Sequence, residues 1–189
     1  MDDDIAGAVR GDRTAIARVL EAIRPLIVRY CRARVNHMAG GLISADDVAQ
    51  EVCIAVLRAL PRYQDHGRPF MAFVYGIAAH KVADAYRSVA RNRTAPVADV
   101  PDLPSQDTGP EQRALQSETA RQMSDVLDML PAHQREILIL RIVVGLSAAE
   151  TAAAVGGTAG GVRVTQHRAM AKLRARMAAQ APRRELQLH

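Results

Sequence analysis

Val48, Val52, Val56 and Leu60 recur at every fourth position. That spacing lines them along one face of an α-helix, and Pro61 directly after Leu60 stops it. Asp47, Gln50 and Glu51, at i, i+3 and i+4, form a polar stripe on the opposite face. A second apolar stripe, Phe70, Phe73, Val74, Ile77 and Ala78, runs into basic residues at 87–93. A third comprises Met123, Val126, Leu127 and Leu130. Pro131 follows, as a first-turn proline of the next helix. That helix, "AHQREILILRIVV", is apolar on most sides and is predicted to sit at the centre of its domain. No strand-type alternation of useful length occurs. The pattern predicts an all-α protein.

Residues 94–112, "TAPVADVPDLPSQDTGPEQ", interrupt the helical pattern. They hold four prolines, four acids (Asp99, Asp102, Asp107, Glu111) and no basic residue. Proline breaks helices and favours extended chain, so the stretch reads as a flexible linker. It divides the chain into two small helical domains, 1–93 and 113–189. The first carries 14 basic and 10 acidic side chains, net +4; the second carries 11 and 6, net +5. Two cationic bodies flank an acidic tether.

The second domain contains "GLSAAETAAAVGGTAGGVRVTQHRAMAKLRAR" at 145–176. Ser147 and Glu150 have the spacing of a capping box, in which serine oxygen and glutamate carboxylate satisfy each other's backbone N–H groups. A short helix therefore starts at Ser147. Gly156 and Gly157 end it, because glycine tolerates the backbone conformation a helix C-cap requires. Thr158 can cap the next helix. Helix, tight turn, helix is the layout of a DNA-binding helix-turn-helix. Along the second helix Val162, Ala169, Leu173 and Met177 form an inward stripe. Arg163, His167 and Arg174 share an outward face, with Thr165, Arg168, Lys172 and Arg176 on the adjacent one. From 163 to 184 there are seven basic residues and no acid. A helix fits the major groove; arginine can pair with a guanine edge and cations neutralise phosphates.

Composition narrows the remaining classes. Aromatic residues make up only 3% of the 189, so the core must be built from Ala, Val, Leu and Ile. The net charge of +5 suggests an anionic partner. Cys31 and Cys53 lie among apolar helical residues outside any CxxC pattern, as expected of free thiols in a reducing compartment. The start, "MDDDIAGAVRGD", is acidic where a signal peptide would be basic. No apolar run approaches the ~20 residues of a membrane span, so a cytoplasmic protein without membrane insertion is expected. The six histidines are scattered, with no HExxH, no phosphate loop and no GxSxG. Asp46, Asp47 and Glu51 lack the second carboxylate cluster that would make a metal site persuasive. No catalytic residue, metal, cofactor or small-molecule substrate is expected.

Three segments together resemble one family. "LPAHQREILILRIVVGLSAAETAAAVGGTAGGVRVTQHRAMAKLRARM" resembles the promoter-reading C-terminal domain of extracytoplasmic-function (ECF) sigma factors of the sigma-70 family. "SADDVAQEVCIAVLRALPRY" resembles that family's polymerase-binding helix, and "RPFMAFVYGIAAHKVADAYRSVARNR" its −10-reading segment. The resemblance implies that 1–93 is a region 2 domain and 113–189 a region 4 domain. The chain would join RNA polymerase core and direct it to promoters. It assigns Asp47, Gln50 and Glu51 to core binding, and Phe73, His80, Lys81, Asp84, Arg87 and Arg91 to the −10 element. Arg163, Thr165, His167, Arg168 and Lys172 fall to the −35 element. It also implies an anti-sigma factor as partner.

Some positions depart from the family pattern. Cys53 stands where Phe is common, Phe73 where Trp is usual and His80 where Asn is frequent. Arg163 replaces Lys, Thr165 replaces Arg, and Gln166 replaces an apolar residue. Thr151 and Gly157 replace Ile. A looser helix-turn-helix, steadied by a partner, is the expectation. The competing reading is a stand-alone helix-turn-helix regulator, which would bind duplex DNA tightly without polymerase.

Overall fold

The structure, a computed structural model, describes residues 1–35, 43–92 and 127–180. The linker at 94–112, and Met123 and Val126 of the third apolar stripe, lie outside them. Among the described residues every regular element is helical.

Helix α1, Asp2–Val9, opens with three aspartates, where the positive end of the helix dipole favours negative charge. It leans closely on α2, Arg13–Val35. A Cβ on Gly7 would lie 2.8 Å from the Ala15 Cβ, so only glycine allows this approach. Asp12 caps α2, accepting from the Thr14 N–H at 2.8 Å. Along α2, Val19, Ile23, Ile27 and Tyr30 are fully buried. Helix α3, Ala45–Ala59, begins at Ser44, whose hydroxyl accepts from the Asp46 and Asp47 N–H groups. It passes into a 3₁₀ turn, Leu60–Arg62, with Pro61 at its start. Helix α4, Phe70–Asn92, completes a bundle with α2 and α3. Val48, Val52, Val56 and Leu60 all face the core, as their spacing predicts. Of the second stripe, Phe70, Val74 and Ala78 are buried, while Phe73 and Ile77 are half-buried.

The C-terminal body is smaller. Leu127 and Leu130 cluster with Leu138 and Ala169. Arg135 ties the start of this body together. Its guanidinium donates to the carbonyls of Leu127, Asp128 and Leu130 and pairs with the Asp128 carboxylate at 2.9 Å. Helix α5, Ala132–Leu138, starts immediately after Pro131, which precedes the first turn rather than lying in it. The continuous α-helix expected over "AHQREILILRIVV" is not what forms. From Ile139 to Val144 the winding is π-helical. A π turn takes an extra residue, so the apolar face rotates partway along. Ile137 and Leu138 then face their own body, while Ile139, Leu140 and Val144 join the core of α2–α4.

The helix-turn-helix forms as predicted. Helix α6, Ala148–Val155, carries the complete capping box: Ser147 Oγ accepts from the Glu150 N–H at 3.1 Å, and Glu150 accepts from the Ser147 N–H at 2.8 Å. Gly156 and Gly157, at φ +82° and +117°, make the turn. Helix α7, Ala159–Gln180, starts under Thr158, whose hydroxyl accepts from the Gly161 N–H at 3.1 Å. Val162 and Ala169 are buried and Leu173 is half-buried. Met177 departs from the inward stripe and is 59% exposed. Twenty-two residues of helix outrun the seven-residue α5 it packs on, and among the described residues none buries the Met177 side chain.

Thr151 is fully buried and its hydroxyl has no hydrogen-bond partner among the described residues. A buried unsatisfied hydroxyl costs about 1–3 kcal/mol. Thr151→Val keeps the shape and removes that cost. The variant is expected to be more stable by about 1 kcal/mol, read as a higher urea midpoint of the whole chain. A lower midpoint would mean that the hydroxyl is satisfied. Gln166, by contrast, is not a weak point: its side-chain oxygen accepts from Arg141 Nε at 3.0 Å, and Arg141 also donates to the Leu146 carbonyl. Of the three departures in this unit, Thr151 leaves a buried hydroxyl unpaired among the described residues, whereas Gln166 ties α7 to the π turn through Arg141.

Candidate nucleic-acid and polymerase interfaces

Three surfaces carry the candidate residues. On α3, Asp47, Gln50 and Glu51 are exposed, opposite the buried valines. Ser44 holds the helix start that presents them. Neighbouring Asp46 is engaged by Arg32 at 3.1 Å, which separates it from the stripe. The same face continues where sequence reasoning did not follow it. Ile54 and Leu57 are 41% and 39% exposed, large apolar side chains on the outside of a helix. Ile54 and Arg58 stand at i+7 and i+11 from Asp47, a helical spacing that could have flagged them.

A groove of about 610 Å³ runs between α3 and α4, lined by Glu51, Ile54, Arg58, Arg62, Phe73 and Lys81 among others. It brings two −10 candidates, Phe73 and Lys81, beside a core-binding candidate. Lys81 reaches across it to Glu51 at 3.4 Å. Phe73 is half-buried in an aromatic cluster, its ring centroid 4.9 Å from that of Tyr63 and 5.8 Å from that of Phe70. It is both core and groove wall.

The remaining −10 candidates lie further along α4. His80 is 74% exposed, and its Nε2 is 3.5 Å from Asp84. Asp84 also accepts from Arg87. That hydrogen bond, with the nearby positive side chains, holds the Asp84 carboxyl below the usual carboxylate range. Arg87 and Arg91 are exposed. Asp84 thus anchors the row of cations rather than opposing it.

On α7, Arg163, His167, Arg168 and Lys172 are exposed and Thr165 is half-buried. Arg174 and Arg176 are exposed as well. The Lys172 ammonium donates to Gln134 on α5 at 3.3 Å, which steadies its stem. The exposed part of α7 carries Arg163, Arg168, Lys172, Arg174 and Arg176 and no acidic residue, on a helix aimed by the capped turn.

Cys31 is buried and free, and burial pushes its thiol up to about 12. Cys53 is half-buried, its thiol also raised by burial. Neither is activated as a nucleophile. Among the described residues no group of His, Cys, Asp or Glu could hold a metal ion, and no helix is long and apolar enough to cross a membrane.

Comparison with known proteins joins these surfaces. Sigma-70 region 2 matches residues 19–92, covering most of α2 and all of α3 and α4. Sigma-70 region 4 matches residues 120–173, covering the helix-turn-helix. The ECF RNA polymerase sigma factor SigD of Mycobacterium tuberculosis is 60% identical over 174 residues, spanning 92% of this chain and 82% of the relative. The chain belongs to the ECF sigma factors. The ECF sigma factor ShbA of Streptomyces griseus is 49% identical over 172 residues, 89% of this chain and 90% of its own. A solved structure of CnrH in complex with the cytosolic domain of CnrY superposes with a TM-score of 0.66 at 25% identity, covering 93% of this chain and 96% of that one. ECF sigma factors with regions 2 and 4 bind RNA polymerase and recognise the −10 and −35 promoter elements, and that is the function of this chain.

Proposed function

We propose that each surface has one task in promoter-specific initiation. Residues 1–93 form the body that binds polymerase core and the −10 element, 94–112 tether it, and 113–189 form the −35-binding body. Asp47, Gln50 and Glu51 on α3 dock against basic side chains of core, where carboxylate–guanidinium pairs give charge-assisted bonds and steering. Phe73, His80, Lys81, Asp84, Arg87 and Arg91 receive the −10 strand. Phe73 supplies an apolar wall for a base, the cations meet phosphates, and Asp84 orients Arg87. Arg163, Thr165, His167, Arg168 and Lys172 enter the major groove at the −35 element.

The observation that carries this reading is the exposed cationic face of α7, aimed by a capped turn, in one chain with the exposed acidic stripe of α3. The protein acts in the cytoplasm with polymerase and performs no catalysis itself. Its second protein partner is an anti-sigma factor that engages both bodies, a reading supported by the likeness to CnrH captured with the cytosolic domain of CnrY. The test is run-off transcription with core polymerase on a promoter library. Discrete start sites that depend on the added chain support the reading. Tight duplex binding without core, and no transcription with it, would instead identify a stand-alone regulator.

A further inference from the structure

Two large apolar side chains of α7 are markedly exposed: Met177 near its end and Val164, at 50%, in its second turn. Val162 is buried beneath the helix. Two residues turn a helix by about 200°, so Val164 points away from the packed side. At helical spacing it shares a face with His167, Arg168 and Lys172, all of them exposed. A valine thus stands in the middle of the surface assigned to DNA, where every neighbour is polar or cationic.

The ground in front of it is low. A helical side chain leans toward the helix N-terminus, over the positions three and four residues before it. For Val164 these are Gly161 and Gly160. A Cβ on Gly161 would lie 3.3 Å from Thr158 Oγ1, so the cap itself crowds that position. A Cβ on Gly160 would meet only the same oxygen, at 4.0 Å, which is ordinary contact. Packing among the described residues therefore does not require glycine at 160, although glycine is a poorer helix former than alanine. Without side chains there, the backbone of this turn can come close to another molecule.

We propose that Val164 reads the 5-methyl group of a thymine in the −35 box, a specificity contact added to the cationic ones. The proposal rests on the reading of α7 as the −35 helix. In that docking the N-terminal turns of the helix meet base edges, and Val164 stands on them without a charge, a donor or an acceptor in its side chain. Against the edge of guanine, adenine or cytosine it would strip water from polar groups and return no hydrogen bond. Thymine presents an apolar group in the major groove, its methyl. Valine is also shorter than Arg163 and Arg168 on the same turns, so it reaches a base only if the backbone comes close, which Gly160 and Gly161 allow.

Replacing thymine by deoxyuridine deletes that methyl and nothing else, and leaves the protein untouched. The experiment measures binding of the holoenzyme, full chain plus core polymerase, to a promoter selected by run-off transcription, with the −35 thymines of both strands replaced one at a time. One replacement is expected to weaken wild-type binding by roughly three- to tenfold. Val164→Ala is expected to bind the unmodified promoter more weakly by a similar factor and to respond less than about twofold to the same replacement. Its dependence of log affinity on log salt should match that of the wild type, because no phosphate contact is lost; a fold defect would move the slope as well. The proposal is overturned by a selected −35 box without thymine, by a wild type indifferent to every uracil, or by a Val164→Ala holoenzyme as sensitive to uracil as the wild type. A uracil effect that Val164→Ala retains and Thr165→Ser abolishes overturns it too, and moves the methyl contact to Thr165. Scrambling the whole box separates this from the functional reading. If scrambling weakens binding and uracil does not, only the Val164 contact falls; if scrambling changes nothing, α7 does not read the box and both fall.

Discussion

Reversing charge at Asp47 and Glu51 together is expected to weaken binding to polymerase core by roughly a hundred- to a thousandfold. Both carboxylates are exposed on α3, beside Gln50, and the face beneath them is packed valine. Nothing in the N-terminal core depends on their charge. Truncating one member of a desolvated interfacial charge pair costs about 2–5 kcal/mol, and placing arginine there adds repulsion from the basic partner. The low end of that range for two positions is about 4 kcal/mol, or nearly three decades in affinity. Within the chain the change touches the pair between Lys81 and Glu51 at 3.4 Å, with Glu51 itself 66% exposed. An exposed pair of this kind contributes at most about 1 kcal/mol, so the folded chain should survive. Affinity for core by fluorescence anisotropy is the measurement, with circular dichroism as the control. Unchanged affinity would remove α3 from the polymerase interface.

Removing Arg163 and Arg168 together should reduce promoter binding by the holoenzyme about a hundredfold. A bidentate arginine–guanine contact discriminates by about 1–3 kcal/mol, and each neutralised phosphate releases counterions. The double alanine variant should therefore bind more weakly and also flatten the dependence of log affinity on log salt, by about 0.9 for each phosphate that is no longer neutralised. Met177→Ala on the same helix is the internal control, because Met177 projects past the packed part of α7. Filter binding across a salt series, with promoters intact or scrambled at −35, reads both effects and the control. Equal affinity and slope for wild type and double variant would place the −35 contact elsewhere.

Much of this was legible in the sequence because it is local. The Val48-to-Leu60 stripe needs only helical periodicity. The Ser147–Glu150 box, the Gly156–Gly157 turn and the Thr158 cap each involve partners within three residues of one another. The cationic face of α7 follows from the same periodicity, and the candidate residues along α4 share its groove-side and distal surfaces for that reason. What stayed hidden is non-local. The Tyr30 hydroxyl donates to Glu136, 106 positions away, and nothing in either neighbourhood announces the other. The run around the π turn divides between two cores, with Ile137 and Leu138 on one side and Ile139, Leu140 and Val144 on the other, which a single-helix pattern cannot express. Met177 fits the inward stripe by spacing alone; its exposure depends on where the neighbouring helix stops. Gln166 reads as a polar intrusion in the sequence because its partner, Arg141, lies 25 positions away.

Arg135 has a practical consequence for anyone dissecting the protein. One guanidinium gathers the carbonyls of Leu127, Asp128 and Leu130, all on the N-terminal side of Pro131. An excised fragment beginning at the proline would keep the whole helix-turn-helix yet strand that guanidinium and strip Leu127 and Leu130 from Leu138 and Ala169. A domain boundary drawn at the obvious helix breaker therefore cuts through a hydrogen-bonded knot, and a soluble fragment has to begin upstream of Leu127.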